Sequence, residues 1–201
     1  MGCDIHMFCE QYKTINGKKR WINKDYWIKN PYFGTDDYEK EYSCVELHGG
    51  LDYSMFTALC GVRDYIEKSP MISPPKGLPD DCCDEIKLAS AYWGSDGHSH
   101  SYVTLREVKG FLDKNEPVIY SGLISPEDAK ALDEEGRHPT IWCQRTSDKT
   151  WVYREWKDDR RNPLQSLYES MVDRFLDRWE KIEELEPERL DNFRMVFWFD
   201  N

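Results

Sequence analysis

The chain has 201 residues, 39% of them hydrophobic and 14% aromatic, and a formal net charge of −11. That is enough apolar material for a domain with its own core and too much for a disordered chain, so residues 1–201 are read as a single globular domain. The acidic balance excludes duplex nucleic acid as a bulk partner, because such binding needs a basic footprint, while leaving room for a local pocket that takes a small anion.

No apolar run reaches the roughly eighteen residues of a membrane helix, and no charged-then-apolar leader opens the chain. The expectation is a cytoplasmic protein without membrane contact. Seven cysteines, odd in number and lacking a C-x-x-C pair, point to reduced thiols rather than disulfides or a zinc knuckle.

In chain order, CDIHMFCEQY alternates. Ile5, Met7 and Cys9 share one face, Asp4, His6 and Glu10 the other, so residues 3–12 read as a strand. The Asn16-Gly17 turn supplies the positive φ angles of a tight hairpin into RWINKDYWI. To about Gly50 the chain is Tyr-rich and acidic without a period, and reads as loop with short strands. LDYSMFTALCGVRDYIE places Met55, Phe56, Leu59, Cys60 and Val62 on one helical face, capped by Asp52. Four prolines between Ser69 and Asp81 force an extended path over the surface or along a cleft.

CCDEIKLASAYW predicts a second helix stopping at Gly94, and Thr104 with Glu107 a capping box for a third. DGHSHS therefore lies in the approach to a helix N-terminus. PVIYSGL reads as a strand, and SPEDAKALDEEG as a helix with Ser125 as cap, Pro126 at its first position and Gly136 past its end. PTIWCQRTSDKTWVYREW reads as a second hairpin. After DDRR, Asn162 and Pro163 open the longest predicted helix, whose stripe of Leu164, Leu167, Tyr168, Met171, Phe175, Trp179 and Ile182 is core. NFRMVFWFDN alternates Phe193, Met195, Phe197 and Phe199 against Arg194, Val196 and Trp198, a closing strand. Strands at both ends and no regular βαβ alternation predict an α+β fold. Its sheet is largely antiparallel, includes the N-terminal and C-terminal strands, and is covered by several helices.

Chemistry concentrates in two short stretches. If each is extended, Asp4 with His6 shares a face, and so do Asp96, His98 and His100. Brought together they would form an N/O ligand set for a divalent metal such as zinc, manganese or iron: Asp4, His6, Asp96, His98 and His100. A metal-free alternative uses His6 and His98 as base and acid across a phosphodiester. Asp4 or Asp96 would orient an imidazole, and Ser99 or Ser101 would donate to the phosphate. Asp4, His6 and His98 are the catalytic candidates on either reading. For binding, the helix N-terminus after Thr104 offers free N–H groups, Arg63, Lys76 and Arg106 offer charge, and Trp93 and Tyr102 offer rings for stacking. Cys3, which adjoins the first stretch, and Thr104 are counted with them as substrate-binding candidates. His48 and His138 sit in Gly-flanked and Pro-flanked loops and are read as surface residues. No Walker loop, G-x-G-x-x-G or G-x-S-x-G is present.

The start MGCDIH, the FTALCGVRDY helix, the PPKGLPDD segment and the WGSDGHSHSYVTLREV stretch resemble a family of small phage and prophage proteins. The matching blocks span Gly2 to about Phe111. The family's recurring positions map onto Gly2, Cys3, Asp4, His6, Gly77, Leu78, Pro79, His98, Ser99, Ser101, Tyr102 and Thr104, with His100 outside them. The resemblance implies a phage setting, and so the host cytoplasm, without specifying a reaction. In that setting the expected role is hydrolysis of a small phosphodiester or nucleotide-derived signal, such as one used in host defence. The alternatives are a non-catalytic binder that sequesters such an anionic nucleotide-like ligand, and an acidic protein that inhibits a protein partner.

Overall fold

Asn16 and Gly17 take φ angles of 50° and 75°, the left-handed pair that a two-residue hairpin requires. They join β1 (Ile5–Ile15) to β2 (Lys18–Asn23), with Ile15 opposite Lys18. The computed structural model describes residues 3–35, 41–48, 52–64, 69–114, 118–158, 163–177 and 180–200. On the other side of β1 lies β8 (Phe193–Phe199), antiparallel, with Ile5 opposite Phe199 and His6 opposite Trp198. β5 (His98–Thr104) takes the far side of β8, giving the antiparallel order β2-β1-β8-β5. The fold is α+β, and both terminal strands belong to the main sheet.

Residues directly opposite in an antiparallel ladder share a face. One face therefore collects Met7 and Cys9 with Phe193, Met195, Phe197 and Phe199. It packs on α1 (Tyr53–Cys60), α3 (Leu105–Lys114) and α5 (Gln165–Phe175) through Phe56, Val108 and Met171, all buried. The other face presents Phe8, Val196, Trp198 and Tyr102 and is covered by α2 (Asp84–Trp93) through Ile86. On this second face Glu10 and Arg194, opposite in register, form a buried pair at 2.8 Å. Arg194 also reaches Asp81 at 2.8 Å and lies 3.9 Å from the Trp21 ring centroid. The Cys83 N–H donates to Glu10 at 2.5 Å. This network fixes the start of α2 against the sheet.

Local signals account for most helix ends. Asp52 accepts from the Met55 N–H, and α1 stops at Gly61, so Val62 falls outside it. Thr104 and Glu107 exchange the reciprocal bonds of a capping box, 2.7 and 3.1 Å. α4 (Pro126–Glu135) has Ser125, Pro126 and Gly136 in the expected places. The proline-rich segment runs along the outer edge of β5, where the Gly77 N–H donates to the His100 carbonyl at 2.8 Å.

Two expectations are corrected. The second hairpin does not form locally. β7 (Val152–Asp158) pairs instead with β6 (Val118–Ile124) across α4, and Cys143 contributes only an isolated bridge to Leu123. That pairing stacks Trp156 on Tyr120 at 6.0 Å and sets Trp142 edge-on to Trp156, a small core that a 139–156 hairpin would forgo. The predicted longest helix is also shorter: α5 ends at Phe175, with Leu176 extended beyond it, and Ile182 reaches the core from a short 3-10 turn. Asn162 and Trp179 lie outside the described residues, as does Gly2. Among the described residues no helix is long and apolar enough to cross a membrane.

Candidate functional site

β1 and β5 flank β8, so the two histidine-bearing stretches do approach the same end of the sheet. They share a face only in part: His100 lies with His6 on the α2 face, whereas His98 turns to the other. His98 pairs with Phe199 and Ser101 with Phe197, leaving both Ser99 and His100 opposite Trp198. This is a β-bulge, in which Ser99 takes φ 51° and the extra residue resets the alternation. His98 stacks on Phe199 at 6.0 Å, on the large-core face. His100 stacks on Trp198 at 5.6 Å, on the α2 face, where Ser90 Oγ shares a hydrogen bond with its Nε2 at 2.9 Å. The turn before the bulge passes so close that a Cβ on Gly97 would lie 3.2 Å from Trp93 Cβ and 3.5 Å from Trp198 Cδ1.

His6 is on the α2 face. Its ring sits 4.1 Å from the Trp93 centroid and 5.7 Å from that of Trp198. Its Nε2 faces Asp200 Oδ2 at 3.3 Å, while Asp200 Oδ1 accepts the Asp4 N–H at 3.1 Å and the Asp200 N–H donates to the Asp4 carbonyl at 3.2 Å. Asp200 thus extends the β8 ladder by one pair and orients the imidazole.

Beyond the end of β2, the outer side of β1 faces a strap, residues 45–48, that follows β4 (Tyr42–Cys44), the antiparallel partner of β3 (Trp27–Lys29). Arg174 anchors the strap by donating to the Val45 carbonyl at 2.5 Å, and it also pairs with buried Asp25, whose carboxylate accepts the Cys9 N–H at 3.0 Å. Between strap and strand lies a cleft of about 180 Å³, lined by Asp4, Ile5, His6, Glu46, His48, Trp93 and Asp200. A recess of about 90 Å³, bounded by Ile5, His6, Glu46 and His48 among others, adjoins it.

Of the residues singled out from sequence, Asp4, His6 and Trp93 meet in this cleft. Cys3 and Arg63 stand behind it. Burial pushes the Cys3 thiol up, while a bond from Arg63 pulls it down and Asp200 and Asp4 push it up again. Arg63, itself in the left-handed region at φ 61°, also lines a separate, mostly apolar cavity of about 40 Å³ between α1 and β6. Asp96 is exposed in the turn after α2, its N–H bonded to the Trp93 carbonyl at 3.0 Å. Ser99 Oγ bonds His98 Nδ1 at 3.0 Å, and buried Ser101 accepts the Lys76 N–H at 3.1 Å.

The expected phosphate position at the α3 N-terminus is filled from within the chain. Glu107 caps Thr104 there and pairs with Lys76 at 2.8 Å, and that ammonium lies 4.5 Å from the Tyr102 centroid. Arg106 is turned away to Asp191 at 2.7 Å. The expected metal set of Asp4, His6, Asp96, His98 and His100 is therefore dispersed, and among the described residues no three His, Cys, Asp or Glu side chains converge on a metal position. Burial drives the Cys44 thiol up to about 12 and the Cys60 thiol to about 11.

Sequence reasoning passed over Asp200 and Glu46 and read His48 as a surface residue, whereas it is half-buried and lines the cleft. Asp200 was within reach, because the alternation of Arg194, Val196 and Trp198 continues to it on the His6 face. Nothing in the local pattern of His48 marks it, since only the tertiary path of the strap brings it to β1. The two stretches that suggested a single site thus yield a half-site, completed by the end of β8 and by the strap. No family model, curated protein or solved structure matches the chain, so the reading of this cleft rests on its own geometry.

Proposed function

We propose that the cleft between β1 and the strap is the working site of a hydrolase for a small phosphodiester or nucleotide-derived ligand, acting in a phage setting. One observation carries the reading: the His6–Asp200 pair, clamped by Trp93, opens onto a cavity of small-ligand size. A histidine whose ring is oriented by a carboxylate is suited to proton transfer. In the proposed step, His6 takes a proton from water as the water oxygen bonds to phosphorus. It returns that proton to the oxygen that departs. Asp200 holds the imidazole in place. Trp93 offers an apolar wall for a base or ribose. His98 takes no part, because it faces the opposite side of the sheet.

The test is a panel of cyclic dinucleotides and ADP-ribose derivatives incubated with the protein and resolved by chromatography. New products from the parent, reduced by about 10²-fold or more in His6→Ala and unaffected in magnitude class by His98→Gln, support the assignment. Turnover that survives His6→Ala removes it. The sequestering alternative draws on the same cleft. Intact ligand recovered from heat-denatured protein, with no product, would favour that alternative.

A further inference from the structure

The β1–β2 hairpin runs against the charge of the chain. Residues 13–24 hold five basic side chains, Lys13, Lys18, Lys19, Arg20 and Lys24, and no acid, in a sequence of 27 basic and 38 acidic residues. Elsewhere surface cations meet carboxylates, as Arg106 meets Asp191, Lys109 meets Asp113 and Arg154 meets Asp133. Lys18, Lys19 and Arg20 are exposed, and among the described residues their side chains make no hydrogen bond or ion pair. The register also sets Arg20 directly opposite Lys13, a like-charge arrangement that works against the hairpin.

The same strand leaves backbone groups open, because β2 is the outermost strand of the main sheet. Ile15 and Lys18 flank the two-residue turn and form a hydrogen-bonded pair, and the alternation continues to Lys13 with Arg20 and to Gln11 with Ile22. The Lys24 N–H, donating to the Cys9 carbonyl at 2.8 Å, keeps that phase. The N–H and C=O groups of Lys19 and Trp21 therefore point away from β1, and among the described residues no backbone group meets them. We propose that this edge takes an extended acidic segment of a partner protein as an added strand. Ladder hydrogen bonds to Lys19 and Trp21 hold its backbone, and acidic side chains on alternate residues lie beside Lys18 and Arg20, which share a face. A second copy is disfavoured at the same edge, since pairing β2 with β2 sets cations against cations. The edge lies at the far end of β1 from His6, so the proposal does not depend on the hydrolase reading.

The probe is a labelled peptide of about ten residues alternating Glu with Thr, added to the full chain and followed by fluorescence anisotropy and amide hydrogen exchange. Binding that weakens with salt is expected, together with slowed exchange at the Lys19 and Trp21 amides. The combined variant Lys18→Gln, Lys19→Gln, Arg20→Gln should bind about tenfold or more weakly, and near-ultraviolet circular dichroism verifies that it folds. A peptide alternating Glu with Pro keeps the charge but cannot complete the ladder, and its binding should fall by a similar factor. No binding of the Glu-Thr peptide, equal binding of the Glu-Pro peptide, or unchanged exchange at Lys19 and Trp21 overturns the proposal. Tighter binding of oligothymidylate overturns it in favour of a nucleic-acid surface. Self-association of the parent that the combined variant abolishes overturns it in favour of a second copy.

Discussion

The two faces of β8 are built on different physical terms. Toward α1, α3 and α5 the strand presents Phe193, Met195, Phe197 and Phe199, an unbroken apolar wall whose contribution scales with area removed from water. Toward α2 it presents Arg194, Val196 and Trp198, and Arg194 is buried only because Glu10 and Asp81 meet it. The first face asks for volume. The second asks for specific partners, and it is the one that runs on into Asp200 and the cleft. A buried ion pair adds little net stability over a well-packed apolar pair, but losing one member is costly. The polar face therefore fixes which α2 placement is allowed, and with it the position of Trp93 against His6.

The largest test of this contrast sets Arg194→Met against Met195→Leu, neighbours in sequence on opposite faces. Arg194→Met leaves Glu10 buried without its counter-charge and is expected to cost about 3–5 kcal/mol, whereas volume-conserving Met195→Leu should cost less than about 1.5 kcal/mol. Urea unfolding midpoints at constant slope measure both, and equal losses would erase the distinction.

A smaller effect concerns the bulge that splits the histidines between the faces. Ser99→Val places a β-branched side chain in the left-handed region and is expected to cost about 1–2 kcal/mol, while Ser99→Gly takes that backbone without strain. If Val is tolerated as well as Gly, the bulge is not what holds His98 and His100 apart.

The least effect is read against pH. Burial holds the His100 imidazole below its ordinary value of 6.5, and His98 adds to the push. On acidification the unfolded chain takes up this proton before the folded one. The stability tied to neutral His100 is thus complete above pH 6.5 and is lost as pH falls through the lower folded value. The unfolding midpoint of the parent should drop on going from neutral to acidic pH by more than that of His100→Gln. Parallel profiles would mean that His100 is not held neutral by its packing.

The fold was largely legible because its signals are local. The Asn16-Gly17 turn, the Thr104–Glu107 box and the Ser125-Pro126 start each depend on a few adjacent residues, and each appears where the pattern placed it. The β6–β7 pairing was not legible, since two strands separated by a helix compete with a local hairpin and the winner is decided by the Tyr120–Trp156 stack. The site was half legible. Alternation placed His6 correctly but misplaced His98, because a single left-handed serine shifts the period and a one-residue slip exchanges faces. His48 and Glu46 depend on where Arg174 ties the strap, a contact 129 residues away in sequence.

The position of β8 also governs how the molecule comes to be folded. Asp4 and Asp200, which close the ladder beside His6, are 196 residues apart, and β1 and β5 meet only through β8. The β1–β2 hairpin is closed by a local turn, but its inner edge is paired only by β8, the last strand. Folding should be slow for a chain of this size, and the waiting edge is the segment most exposed to intermolecular pairing. The cleft forms in that same closing step, so a ligand for it would favour the completed sheet and act as a folding aid.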